Sequence, residues 1–213
     1  IEAALLSLQV KPGANNDADI TITVTATAVE SNPAEDNDGA TAGMGGGIAG
    51  PEIAVPTAPA IQTFVIPVAA LADTPTVSGS GAGFEDQNIP ISITVLHPDT
   101  ADGSEAIKNV VISGVPSGFT LSELSSGTGV LTANGGGTYT VTGPTDAAIQ
   151  DVLTNLSLVI TVGGPRKDLD TDFNLTATAT TIESNPSEAG AGQGGGNEQS
   201  ATATVAVTVT AVA

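Results

Sequence analysis

Cysteine is absent from the 213 residues, and so is tryptophan. Without a thiol there is no disulfide, no thiolate nucleophile and no cysteine-ligated zinc. Aromatic residues make up only 2% of the chain, Tyr139 and four Phe, so no aromatic plate for sugar binding stands out. Positive charge is nearly missing. Four Lys and Arg stand against 23 Asp and Glu, a formal net charge of -19, which excludes charge-driven binding to nucleic-acid phosphates. No apolar run approaches the ~18 residues of a membrane-spanning helix, so no membrane insertion is expected, and no signal peptide is visible. With 26 Gly and 13 Pro, and few Glu, Lys and Leu, the composition also excludes a coiled coil.

The usual catalytic constellations are lacking too. His97 is the single histidine, followed by Pro98 in a predicted loop, and it reads as an exposed loop residue with no partner for zinc or a triad. The Gly-rich stretches 43–47 and 194–196 have no following Lys-Ser/Thr and no predicted helix, so they read as hairpin tips rather than phosphate loops. A glycosidase would need paired acids in an apolar cleft, and none is indicated. The chain is expected not to be an enzyme.

What remains is strand signal. Residues 20–29, 173–182 and 201–212 alternate apolar residues with Thr or other small polar ones, and 89–96, 107–112, 137–142 and 156–162 read as shorter strands. Helical periodicity is weak, with one or two turns at most over 146–153. Short strands separated by Gly, Pro, Asn and Asp predict an all-β, antiparallel Ig-like or cadherin-like β-sandwich.

An internal repeat organises the chain. Residues 20–33 read ITITVTATAVESNP and residues 173–186 read FNLTATATTIESNP. Upstream, Asp17-Ala-Asp19 falls on Asp170-Thr-Asp172, and Leu6-Ser-Leu8 on Leu156-Ser-Leu158. Downstream, each copy has a Gly-rich segment and a closing strand, ending at Ala72 and at Ala213. Residues 73–213 are therefore predicted to be one complete sandwich. Residues 1–72 are predicted to be the C-terminal half of a preceding one, with a Gly/Pro-rich insertion at 34–60. Half a sandwich cannot bury its inner face, so the missing strands are expected from upstream or from another chain.

The complete copy reads Ala72-Asp-Thr-Pro75, Phe84-Glu-Asp86, Asp102-Gly-Ser-Glu105, Val111-Ile-Ser-Gly-Val-Pro116, and then Asn134-Gly-Gly-Gly-Thr-Tyr-Thr-Val-Thr142. This combination resembles the tandem cadherin-like or Ig-like extender repeats of giant RTX-type (LapA-like) bacterial surface adhesins. The resemblance spans 73–213, with 1–72 as a partial copy that departs from the pattern over 34–60. It implies secreted β-sandwich rods at the bacterial cell surface, stiffened by calcium at the junctions.

Strand parity gives a separate expectation for the acids. Let the bottom be where a copy is entered and the top where it is left. The first strand rises from Asp73, which places Glu85 and Asp86 at the top. The next strand descends, which places 97–106, with Asp99, Asp102 and Glu105, at the bottom. The closing strand must rise and its partner descend. Asp168, Asp170 and Asp172 then lie at the top and Glu183 at the bottom, and Asp17 and Asp19 lie at the top of the preceding copy. Acids from both sides would meet around Asp73 at the junction. Clustered carboxylates with so few cations repel one another, and a hard dication that accepts irregular oxygen cages, calcium, would relieve this. The spacing at 168–179 is not that of an EF-hand loop. The leading reading is a calcium-stiffened spacer supporting adhesion or biofilm formation, partnered by neighbouring repeats of the same chain. The alternatives are a filament in which identical chains exchange strands and a calcium-dependent ligand-binding module.

Overall fold

The structure, a computed structural model, describes residues 7–13, 18–27, 59–68, 71–98, 105–160, 171–183 and 198–212. The chain divides into two compact units, Ala18–Pro67 and a larger one formed by Ile1–Asp17 with Val68–Ala213.

In the smaller unit, β1 (Ile20–Ala26) and β2 (Ala60–Ile66) form an antiparallel two-stranded sheet. Alternation puts Ile20, Ile22 and Val24 on one face, opposite Ile66, Phe64 and Gln62. Phe64 is 52% exposed and Val65 59%, so neither face of β2 is covered among the described residues.

The larger unit holds β3 (Thr76–Phe84), β4 (Ile89–Leu96), β5 (Glu105–Ser113), β6 (Phe119–Glu123), β7 (Val130–Gly135), β8 (Thr138–Thr142), α1 (Asp146–Thr154), β9 (Leu156–Ile160), β10 (Phe173–Glu183) and β11 (Glu198–Thr210). Their hydrogen-bonded order is β6-β9-β4-β3-β11-β10-β5-β8-β7. The apolar residues of both wings belong to one core, including Ile89, Ile91 and Ile93 from β4, Val110 and Ile112 from β5, Leu175 and Ala177 from β10 and Val205 and Val207 from β11. The sheet therefore folds over at β3 into a two-layer sandwich. Strand β4 shows the pattern most simply, buried and exposed residues alternating along all of its length.

The sandwich is not wholly antiparallel, which corrects the sequence expectation. The lower part of β3 pairs antiparallel with β4 (Thr76↔Leu96 to Gly81↔Ile91), and its upper part pairs parallel with β11 (Ser80↔Ala206 to Phe84↔Thr210). The first and last strands both rise, so when β3 changes wing and meets β11 only a parallel ladder can form.

The crossing is made at glycine. The inward positions of β3 after Val77 are Gly79, Gly81 and Gly83, and the isoleucines of β4 lie over them. A Cβ on Gly79 would come within 2.7 Å of the Ser92 carbonyl oxygen, whereas one on Gly81 would strike the tip of the Ile91 side chain. A backbone carbonyl held in a ladder cannot yield, but a side-chain tip can. Gly79→Ala is expected to destabilise by about 2–3 kcal/mol and Gly81→Ala by about 1 kcal/mol. Adding Ile91→Val should offset part of the Gly81→Ala loss and none of the Gly79→Ala loss. Urea unfolding of the four variants checks this, and equal losses at both glycines would refute the account.

The weakly periodic stretch predicted as a turn or two is a nine-residue helix, α1. Thr145 caps it by accepting the Ala148 amide, and Ala148, Ile149, Val152 and Leu153 turn into the core. The helix lies in the connection between β8 and β9, which are in different wings.

Candidate functional site

The bottom of the sandwich gathers groups from five elements. Asp73, just before β3, donates its amide to Glu105 Oε1 at 2.7 Å, and its carbonyl accepts the Thr181 hydroxyl of β10 at 2.6 Å. Glu105 opens β5 and stands opposite Glu183, the last residue of β10. Asp146, the first residue of α1, accepts the Ile107 amide at 2.8 Å through Oδ1. Its Oδ2 lies 2.7 Å from His97 Nε2, and His97 Nδ1 lies 3.4 Å from Glu105 Oε2.

His97 is thus not an exposed loop residue, as its Pro98 neighbour and single occurrence suggested. Its side chain is 7% exposed, held between the carboxylates of Glu105 and Asp146. The sequence signal lay in Asp146, whose helical position was read only weakly. Both ring nitrogens face carboxylates, so neither is left to take a proton from a nucleophile. Beside the ring, a shallow cavity of about 260 Å³ opens between β4, β5 and α1, with Val95, Leu96, Ile107 and Ala147 in its wall. Gln150 of α1 seals its edge, accepting the Val95 amide at 3.0 Å and donating to the Ile93 carbonyl at 2.7 Å.

Glu105 is the buried carboxylate of this group. Burial pushes its pKa above the ordinary 4.5, and the nearby Asp73 charge adds to the rise. The Asp73 amide, the Thr181 hydroxyl and the His97 charge oppose it. Its Oε2 is buried and accepts no hydrogen bond.

The top uses its acids in a similar way. Glu85 is buried, its amide donates to the Thr210 carbonyl at 3.0 Å and its Oε1 accepts the Val212 amide. Asp172 Oδ1 accepts the Val209 amide at 2.8 Å. Two of the predicted top acids therefore clamp the end of β11. Asp86 has φ 63° in the β3–β4 turn, a left-handed conformation that Asp tolerates better than most residues.

Of the predicted metal ligands, Asp73, Glu105 and Glu183 lie at the bottom and Glu85, Asp86 and Asp172 at the top of the larger unit. Asp19 is exposed, just before β1. Asp17, Asp99, Asp102, Asp168 and Asp170 lie outside the described residues. Among the described residues, no three His, Cys, Asp or Glu side chains are grouped closely enough to hold a metal ion as they stand. One carboxylate oxygen at the bottom, Glu105 Oε2, is buried without a hydrogen bond and lies 3.4 Å from His97 Nδ1.

The fold defines the class as an all-β protein with a two-layer sandwich. No family model matches the chain, and no curated protein matches it. Among solved structures it is similar to the Streptococcus agalactiae AgI/II polypeptide BspA C-terminal domain, at 12% identity and a TM-score of 0.27. The match covers 64% of this chain and 49% of that one, so the chain spans about half of that structure, and at this score the likeness carries no argument.

Proposed function

We propose that the chain is a load-bearing spacer of a bacterial cell-surface adhesin, without chemistry of its own, whose repeats are stiffened by calcium. The observation that carries the spacer reading is the parallel pairing of β3 with β11. The first strand is entered at the bottom and the last is left at the top, so tension along the chain loads this ladder in shear. All of its hydrogen bonds must then yield together, whereas peeling from one end would break them singly. Both points of attachment are also tied to the body by buried glutamates, Asp73 through Glu105 and Val212 through Glu85.

The calcium part draws on the number of acids in this part of the sequence and on Glu105 Oε2, which is buried without a hydrogen bond. Asp99, Asp102, Glu105 and Asp73 would supply the oxygens at the bottom. A bound dication would offset the burial of Glu105 and fix the linker to the sandwich. A ligand present at a hundred times its dissociation constant stabilises the folded state by about 2.7 kcal/mol. Calcium at about 10 mM is therefore expected to raise the melting temperature by several degrees over EDTA, extracellular calcium modules binding at roughly 10⁻⁴–10⁻³ M. Asp102→Asn should abolish most of that gain. A melt unmoved by calcium would remove the metal and leave the shear argument standing.

A further inference from the structure

The β1–β2 hairpin reproduces the β10–β11 pair residue for residue. Under the repeat, Ile22 corresponds to Leu175 and Val24 to Ala177, and counting back from Ala72 and Ala213 makes Phe64 correspond to Val205 and Ile66 to Val207. The registers agree with this. Ile20↔Ile66, Ile22↔Phe64, Val24↔Gln62 and Ala26↔Ala60 answer to Phe173↔Val207, Leu175↔Val205, Ala177↔Ala203 and Ala179↔Ala201. The ladder is the same, but its surroundings are not. Leu175 and Val205 are completely buried, with β5 along one edge of the pair and β3 along the other. In the hairpin Phe64 and Ile66 are exposed, and among the described residues β1 and β2 have no third strand. Leu8 is also exposed, where its counterpart in the repeat, Leu158, is buried in β9.

We infer that the apolar face and both edges of the β1–β2 hairpin are a docking surface for a stretch of chain patterned like residues 73–150, lying ahead of Ile1 in the same polypeptide. The inference rests on the repeat and not on calcium. In the complete sandwich the elements that cover β10–β11 are β3, β4, β5 and their neighbours, all of which precede the pair in sequence. A second copy of this chain is a poor source of them. Its own strands of that type already hold its own β10 and β11, and two chains of net charge -19 repel. The hairpin strands carry no charged residue, as a face meant for burial requires.

The test extends the full chain at its N-terminus with a duplicate of residues 73–150, which keeps the phase set by Leu6-Ser-Leu8 and Leu156-Ser-Leu158. Amide hydrogen exchange is then followed at β1 and β2. In the unextended chain these amides are expected to exchange within minutes, because a two-stranded hairpin is marginal in water. In the extended chain they should slow by about a hundredfold or more. Phe64→Asp in the extended chain should undo that protection and leave β10 and β11 untouched. Unchanged exchange after extension, or protection kept by Phe64→Asp, overturns the inference. So does protection in the unextended chain that grows with protein concentration alongside a dimer in light scattering, which would make a second copy the occupant.

Discussion

Leu175→Ala is expected to cost the sandwich of residues 73–213 roughly 3–4 kcal/mol, whereas Ile22→Ala, the same position of the repeat in the hairpin, should cost less than about 1 kcal/mol. Leu175 is completely buried between the wings, where a truncated side chain leaves a cavity that the ladders of β5 and β11 cannot close. Ile22 is only partly covered, so its loss leaves a space open to water. The two substitutions remove nearly the same atoms from the same ladder position, so the contrast isolates what covers the ladder. Thermal melts monitored by circular dichroism would show Leu175→Ala lowering the main transition by roughly 10 °C and Ile22→Ala hardly moving it. Equal shifts would mean that the hairpin is as well buried as β10–β11, against the exposures seen here.

This contrast shows where the sequence was informative. Alternation of Val, Ile and Ala with Thr marked β1, β10 and β11, because a half-buried strand writes its period into its composition. The correspondence of β1 with β10 was legible because ITITVTA and FNLTATA align without a gap, whereas the pairing registers were not. Strand parity placed Glu85 and Asp172 at one end and Asp73, Glu105 and Glu183 at the other, and the described residues lie there. Other features were hidden for definable reasons. The inward face of β3 is mostly glycine, so it carries no apolar period, and its change of wing depends on what lies over it. Helix α1 is short, and its Ala, Ile, Val and Leu serve equally well in a strand. The burial of His97 depends on Glu105 and Asp146, eight residues after it and on a helix across the β5 edge. No local pattern encodes that meeting. The clustering of acids was legible, but their use was not. Repulsion among carboxylates suggested a shared cation, whereas Glu85, Glu105, Asp146 and Asp172 each accept a backbone amide, an interaction invisible to side-chain counting.

Glu105→Ala is expected to destabilise the sandwich by about 3 kcal/mol, and Glu105→Gln by about 1 kcal/mol, because their effects on neighbouring groups differ. Alanine deprives the Asp73 amide of its acceptor and leaves His97 with a carboxylate on one side only. Glutamine keeps an oxygen for that amide and loses the charge that burial opposes. The two also differ in their consequences with pH. With its folded pKa raised above 4.5, Glu105 holds a proton in the native state at pH values where the unfolded chain has released it. Its contribution to stability is thus fully present below 4.5 and is lost as pH rises through the folded value. Glu105→Gln has no proton to lose there, so its stability should fall less steeply than the parent's from about pH 4.5 upward. Urea midpoints from pH 4 to 7 measure the difference, in which the carboxylates common to both proteins cancel. Repeating the pair on a His97→Asn background removes the neighbouring imidazole from the comparison. Parallel curves on both backgrounds would show that the Glu105 carboxylate is not burdened by burial. The case for a cation beside it would then lose its physical ground.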